Sequence, residues 1–250
     1  MPDTPAKARK VALVTGAARR IGAAIARRLH SDGYDLALHY RASKAEMDAL
    51  QAELNATRPR SAIALQADLA EFDRLPELVA RTVGNFGRLD ALINNASGFY
   101  PTPIGSATPA QWDELFASNA RAPLFLAQAA APHLRASGGG IVNLADIHGE
   151  KKPLADHAIY CMAKAALLML SKSLAVDLAP EVRVNAIAPG AILWPEHHMD
   201  ETAQSAILAR TPLQRLGTPE EIAGVVSWLL DDASYVTGQT LHVDGGRHLE

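Results

Sequence analysis

Tyr160 and Lys164 stand four residues apart in a stretch with helical patterning, and Asp146 lies just upstream, where the apolar run Ile141-Val142-Asn143-Leu144 ends. A phenol, an ammonium and a carboxylate in that arrangement form a proton-handling set. Residues i and i+4 share a helix face, so the Lys164 ammonium can approach the Tyr160 phenol and favour its ionised form. On that reading the phenol becomes a workable acid near neutrality. A carboxylate at Asp146 acts the other way, opposing ionisation and keeping the proton on Tyr160. A Tyr-x-x-x-Lys spacing also occurs on solvated amphipathic faces, so the surrounding residues must decide. For Asp146 the competing reading is a strand-end residue that caps the next turn.

Such a trio needs a rigid frame. Short aliphatic runs recur at Lys10 to Thr15, Asp35 to Tyr40, Ala62 to Gln66, Ala91 to Asn94, Ile141 to Leu144, Arg183 to Ala188 and Leu241 to Val243. Each is strand-length and nearly continuous in apolar residues, as a strand covered on both faces should be. Helical patterns lie between them, including Ile21, Ile25 and Leu29 and the long Ala158 to Leu178 segment. Thr218-Pro219-Glu220-Glu221 reads as a helix start, with a hydroxyl N-cap, Pro at the first helical position and a Glu that completes a capping box. Strands alternating with helices imply right-handed crossovers and an α/β, doubly wound parallel sheet.

A sheet of this kind binds its ligand beyond the carboxyl ends of its strands. Thr15-Gly16-Ala17-Ala18-Arg19-Arg20-Ile21-Gly22 follows the first strand and leads into a helix whose free amides can receive a pyrophosphate. The alternative is a tight turn with no ligand. After the second strand, His39-Tyr40-Arg41-Ala42-Ser43 lacks the acid that would hold a ribose 2′-hydroxyl. Arg41 and Ser43 suit a 2′-phosphate instead, which favours NADP over NAD unless Arg41 is only a solvated loop charge. Asp68, after the third strand, is placed to accept from an adenine amino group, and Asn94-Asn95-Ala96-Ser97 follows the fourth.

Composition excludes several classes. The 250 residues are 48% apolar and 20% charged, enough for a core, and no linker, repeat or low-complexity tract divides them. We therefore expect one domain over residues 1–250, with a short N-terminal tail over about residues 1–9. The net charge of −3 predicts no nucleic-acid partner; the early basic residues Lys7, Arg9, Lys10, Arg19, Arg20, Arg27 and Arg28 are mostly solvated on this reading. The single cysteine, Cys161, fits a reducing compartment and reads as a packing thiol. The expectation is a cytoplasmic protein with no signal peptide, and with nothing that approaches a membrane span.

With these pieces in place, the chain resembles the short-chain dehydrogenase/reductase family from Lys10 to Gly246, through Thr15-Gly16 to Gly22, Asn94-Asn95-Ala96, Asn119, Tyr160 with Lys164, and Pro189-Gly190. The resemblance implies a single doubly wound Rossmann-type domain, a sheet of about seven strands with helices on both faces. It implies Tyr160 as catalytic acid/base, Lys164 as the residue that binds the nicotinamide ribose and tunes Tyr160, and Asn119 as part of a proton relay. The implied NADPH site takes Gly16, Arg19, Arg20 and Ile21 from the first turn, Tyr40, Arg41 and Ser43 from the second, and Asp68 and Leu69 from the third. Asn95, Ala96 and Ser97 follow, then Tyr160 and Lys164, and finally Pro189, Gly190 and Ile192. A homotetramer built through the Tyr160 helix is likewise implied.

Three departures narrow the resemblance. Arg20 replaces the middle glycine of the nucleotide loop, Ser97 replaces the glycine after Asn-Asn-Ala, and Asp146 replaces the catalytic serine. All three are similar to the pteridine reductase branch, whose signature segment Asn94 to Pro103 resembles. The branch implies Phe99 stacking a pterin over the nicotinamide, Ser97 and Arg20 binding pterin and cofactor, and Asp146 supporting Tyr160. Chemistry gives a separate reason: an ionised Asp146 can only accept a hydrogen bond, so it repels the oxyanion of a reduced ketone. A C=N bond in a planar heterocycle, protonated by Tyr160 or by water held nearby, fits better. Dihydrofolate belongs to the same substrate class.

The Asp146 to Tyr160 loop is one residue longer than the resemblance implies. Loop Ala188 to Glu196 should cover the nicotinamide, with Trp194 closing the pocket or packing on its own loop. His197-His198 lacks ligand spacing for a metal. Asp113-Glu114 and Asp231-Asp232 read as helix-end or surface charges, and His148 and His157 as loop residues that face water or touch substrate. The runner-up function is a carbonyl or hydroxysteroid-type reductase with a protonated Asp146. From another class, a non-catalytic NADP-binding sensor remains.

Overall fold

A computed structural model describes residues 9–194 and 200–250. Lys7, Pro195, Glu196 and the His197-His198 pair lie outside the described residues.

Among the described residues the apolar runs form strands β1 (Val11–Val14), β2 (Asp35–Tyr40), β3 (Ala62–Gln66), β4 (Ala91–Asn94), β5 (Gly140–Leu144), β6 (Arg183–Pro189) and β7 (Thr240–Val243). They pair in parallel as one seven-stranded sheet in the order β3-β2-β1-β4-β5-β6-β7. The order reverses between β1 and β4, where a doubly wound sheet opens a crevice at its carboxyl edge. This is a Rossmann-type α/β fold.

Helices α1 (Arg20–Ser31), α2 (Lys44–Thr57), α3 (Arg74–Phe86), α4 (Pro109–Phe116), α5 (Ala122–Ser137), α6 (Ala158–Asp177), α7 (Glu201–Ala209) and α8 (Pro219–Asp231) complete the layers. Strand alternation sorts the core. Ala12, Val14, Leu36 and Leu38 face Ile25 and Leu29 of α1, Met47 of α2 and Val226 of α8. Val11, Leu13 and Ala37 turn the other way, toward Leu75 of α3, Leu126 of α5 and Leu174 of α6. The central strands are buried along their whole length, whereas β3 is buried only in part and β7 is half-buried throughout. Full two-sided burial therefore fails at the sheet edges, where one neighbour is missing.

The Thr218 start is as read: its hydroxyl accepts from the Glu221 amide and the Glu221 carboxylate accepts from the Thr218 amide. Two readings need correction. Helix α6 is long and apolar enough, with mean hydropathy 1.5, to cross a membrane by length and composition alone. Half of it is buried against the sheet and it carries Tyr160 and Lys164, so it is a core helix. The early basic residues are not simply solvated: Arg9 pairs with Asp35, Lys10 with Asp231, Arg27 with Glu53 and Arg28 with Asp32.

Candidate active site

The crevice is a cleft of about 730 Å³ that runs from the β1 turn across the ends of β2, β3 and β4. A smaller recess of about 210 Å³ continues it past β5 and β6. The first turn is built from contacts only glycine permits. Gly16 has φ +61° and an added Cβ would sit 2.9 Å from Ala96 Cα, while one on Gly22 would sit 2.2 Å from the Gly16 carbonyl oxygen. Thr15 Oγ1 accepts from the amides of Asn95 (2.9 Å) and Ala96 (3.0 Å), and Asn95 Nδ2 donates to the carbonyls of Thr15 (2.9 Å) and Gly16 (3.0 Å). The ends of β1 and β4 are thus laced together under the N-terminus of α1, whose first residues Arg20, Ile21 and Gly22 line the cleft.

His39 adds a link that residue order alone does not show. Its Nδ1 accepts from the Gly16 amide at 3.2 Å and its Nε2 donates to the Ala67 carbonyl at 3.1 Å. Burial pushes its pKa down to about 4, so the ring is neutral in the tautomer those bonds require. Around it, Tyr40, Arg41, Ser43, Asp68 and Leu69 line the cleft with Arg19, Arg20 and Ile21. Asp68 Oδ1 accepts from the Ala70 amide, which orients the carboxylate at the end of β3. A glycine cradle, open helix amides and a cation at Arg41 fit a dinucleotide.

At the other end, Tyr160 and Asp146 meet: the phenol donates to Asp146 Oδ2 at 2.7 Å, and the His148 amide donates to Oδ1 at 2.9 Å. Both carboxylate oxygens therefore accept. Asp146 also caps the 3₁₀ turn Ile147–Gly149, so the capping reading holds alongside the phenol contact. Lys164 stands on the same face as the phenol, and its ammonium is held by a backbone carbonyl. Its Nζ donates to the Leu144 carbonyl at 2.9 Å and stands 5.7 Å from the Tyr160 ring centre. Tyr160, 4% exposed, is pushed well above the usual phenol range, by burial first and then by the charge and hydrogen bond of Asp146, with the Ser97 hydroxyl acting weakly in the opposite sense. Burial holds Lys164 down to about 8, against the pull of Asp146. Burial and the carboxylate together keep the proton on the phenol.

Asn119 sits in a π turn, Ala117–Arg121, between α4 and α5. Its Nδ2 donates to the Gly98 and Leu115 carbonyls, and its Oδ1 accepts from Ser97 Oγ at 2.8 Å. It reaches the cleft through Ser97. Phe99, 54% exposed, stands edge-on to Tyr160 with ring centres 4.8 Å apart. His157 stacks on its far side at 4.8 Å and 17°, so that histidine does not simply face water. Glu114 is not a plain surface charge: it lines the cleft and accepts from Tyr100 Oη at 2.9 Å. Asp231, at the end of α8, accepts from Tyr34 Oη and Lys10 Nζ. Cys161 is partly buried and its sulfur accepts from the Leu154 amide.

The loop after β6 brings Pro189, Gly190, Ile192 and Leu193 to the recess. Trp194 is not among the recess-lining residues; its carbonyl, with that of Leu193, accepts from the Arg20 guanidinium at 3.3 to 3.5 Å. Arg20 itself has φ +52°, a left-handed conformation where a glycine would be unstrained. Among the described residues, no group of three or more His, Cys, Asp and Glu side chains is arranged to hold a metal.

A Rossmann-type sheet with a glycine cradle at one end of its crevice and a buried phenol and ammonium beside a half-buried carboxylate at the other defines an oxidoreductase of the nicotinamide-dependent class. The chain belongs to the short-chain dehydrogenase/reductase family. The family model described as enoyl-(acyl carrier protein) reductase matches residues 16–248. Pteridine reductase 1 of Leishmania tarentolae is 39% identical, with 96% of each chain covered. A 3-oxoacyl-[acyl-carrier-protein] reductase FabG of Staphylococcus aureus is 36% identical over 97% of this chain and 100% of its own. An uncharacterized oxidoreductase of Methylorubrum extorquens is 38% identical over 95% of this chain and 97% of its own.

Proposed function

We propose that the protein is an NADPH-dependent pteridine reductase that reduces a C=N bond of a pterin or dihydropterin, dihydrofolate included. The observation that carries this reading is the 2.7 Å contact between the Tyr160 phenol and Asp146, in a recess next to the half-exposed Phe99 of the adjoining cleft. A carboxylate beside the proton donor is mismatched to a developing alkoxide and compatible with a ring nitrogen that takes up a proton. The Phe99 ring offers a flat heterocycle an apolar face.

In this mechanism Gly16, Arg19, Arg20, Ile21 and the Asn95-Ala96-Ser97 segment hold the dinucleotide, Arg41 and Ser43 its 2′-phosphate, Asp68 and Leu69 its adenine, and Tyr40 the adenosine edge. Pro189, Gly190 and Ile192 flank the nicotinamide end. NADPH supplies the hydride when bound. Tyr160 gives its proton, directly or through water, to the nitrogen next to the reduced carbon, and Asp146 keeps that proton in place until transfer. Lys164 stabilises the tyrosinate left behind. Asn119 positions Ser97 against the pterin edge, and Trp194 packs within the loop that borders it.

Arg41 provides a direct check on the cofactor. Arg41→Asp is expected to weaken NADPH binding by about 10- to 100-fold, the worth of a charge-assisted hydrogen bond, and to leave NADH binding nearly unchanged. Equal losses for the two nucleotides in a fluorescence titration would discard the 2′-phosphate role.

The similarity to the FabG protein keeps a carbonyl reductase as the second reading. Following NADPH consumption with dihydrobiopterin, dihydrofolate and a panel of ketones separates the two. Turnover of ketones alone overturns the pteridine reading, and absence of any turnover favours a nucleotide-binding sensor. The proposed protein is one domain, acts in the cytoplasm on a small molecule and assembles as a homotetramer. The outer face of α6 supports the assembly, because Met162, Met169 and Val176 are 50%, 61% and 78% exposed at seven-residue intervals.

A further inference from the structure

Asp146 and Tyr160 are joined by a loop held at two points, one on the edge strand β7 and one on the C-terminal turn after it. Glu150 Oε2 accepts from His242 Nε2 on β7 at 2.7 Å. Two residues on, Lys152 Nζ donates to the Arg247 carbonyl at 3.1 Å and to the Glu250 carbonyl at 2.6 Å. The anchors are themselves braced. His242 stacks on His248 with ring centres 4.1 Å apart, and His248 donates through Nδ1 to buried Asp244 at 2.8 Å. Asp244 also accepts from the amides of Gly246 (3.0 Å) and His248 (2.7 Å).

From these anchors a short run of hydrogen bonds leads back to Asp146. The His148 ring donates to the Lys152 carbonyl, and the His148 amide holds Asp146 Oδ1. Gly149, between them, packs so closely on α6 that an added Cβ would lie 2.7 Å from the Lys164 carbonyl carbon. The turn that aims Asp146 is therefore wedged between α6 and a segment tied to β7. The residues that follow, up to the start of α6, have no strand or helix of their own, and the loop is a residue longer than the family resemblance implies.

We infer that Lys152 and His242 are positioning residues: by tying the 150–152 segment to β7 and to the C-terminal turn that follows it, they set the direction in which the Asp146 carboxylate faces Tyr160. For turnover this rests on the pteridine reductase reading, whereas the ordering of the loop does not. Lys152→Met removes one tie. His242→Phe removes the other and keeps a ring to stack on His248. In both, backbone amide exchange over residues 147–152 is expected to rise about tenfold, and kcat with dihydrobiopterin to fall about tenfold with the NADPH dissociation constant within about twofold of wild type. Lys152→Arg should restore both. Unchanged exchange in both variants overturns the inference, as does a loss of NADPH affinity that matches the loss of kcat. Should the wild-type protein ignore every pteridine, the functional reading falls and the exchange measurement still decides this one.

Discussion

Tyr160→Phe is expected to lower kcat for pteridine reduction by about 10²- to 10⁴-fold, the usual worth of a positioned general acid, with NADPH affinity unchanged. The substitution removes one oxygen and keeps the ring that packs T-shaped against Phe99, with ring centres 4.8 Å apart. The proton source is lost. Because burial and Asp146 both push the phenol's pKa up, Tyr160 is fully protonated through the neutral range, and its own ionisation should not shape the pH profile there. The neighbouring ammonium should. Lys164, held down to about 8, loses its charge as pH rises through that value, and with it the stabilisation of the tyrosinate formed on proton transfer. Wild-type kcat is accordingly expected to decline on the alkaline side of about pH 8. Single-turnover oxidation of bound NADPH, measured for both proteins across pH, checks both statements. A Tyr160→Phe enzyme that retains wild-type turnover would remove the phenol from the mechanism.

Asp146→Ser should reverse the substrate preference rather than abolish activity. A serine hydroxyl can donate to a carbonyl oxygen, whereas the carboxylate, both of whose oxygens accept here, cannot. Loss of the carboxylate also removes the charge and hydrogen bond that raise the phenol's pKa, leaving burial as the main remaining cause. We expect kcat/KM for dihydrobiopterin to fall by about 100-fold, in the range set by losing one precisely aimed polar group, and that for simple ketones to hold or rise. NADPH affinity should stay within about twofold, since Asp146 lies at the recess end and not among the residues lining the larger cleft. Parallel assays with a pteridine and a ketone decide the matter: equal losses on both substrates would reduce Asp146 to a turn cap.

Much of the architecture was legible because it rests on local pattern. Continuous apolar runs located the strands to within about a residue, and the capping box at Thr218 marked the start of α8. The meeting of Asp146 with Tyr160 was foreseeable too, since one ends a strand and the other begins the next helix. Contacts that depend on distant chain segments were not. Nothing in the residue order shows that His242 reaches Glu150 across 92 positions, or that Asn119 faces Ser97 from a π turn. Helical spacing placed Lys164 on the same face as Tyr160 correctly but could not show the Leu144 carbonyl that captures its ammonium. The Phe99 and His157 stack joins two loops whose backbone course follows no periodicity. An Arg at position 20, in a conformation suited to glycine, gave no local sign that its guanidinium would hold the Leu193 and Trp194 carbonyls.

The His39 imidazole works only in one orientation of donor and acceptor, and this makes the fold acid-labile at its nucleotide end. Unfolded, the ring takes up a proton near its ordinary 6.5; folded, it resists until about 4. Between those values the unfolded chain holds the extra proton, so acidification drains stability steadily from pH 6.5 down to about 4. Below that, a second N–H confronts the Gly16 amide and the turn loses its acceptor. His39→Asn, whose side chain also carries one acceptor and one donor but no titrating group, should flatten the acid limb of a urea-melting series.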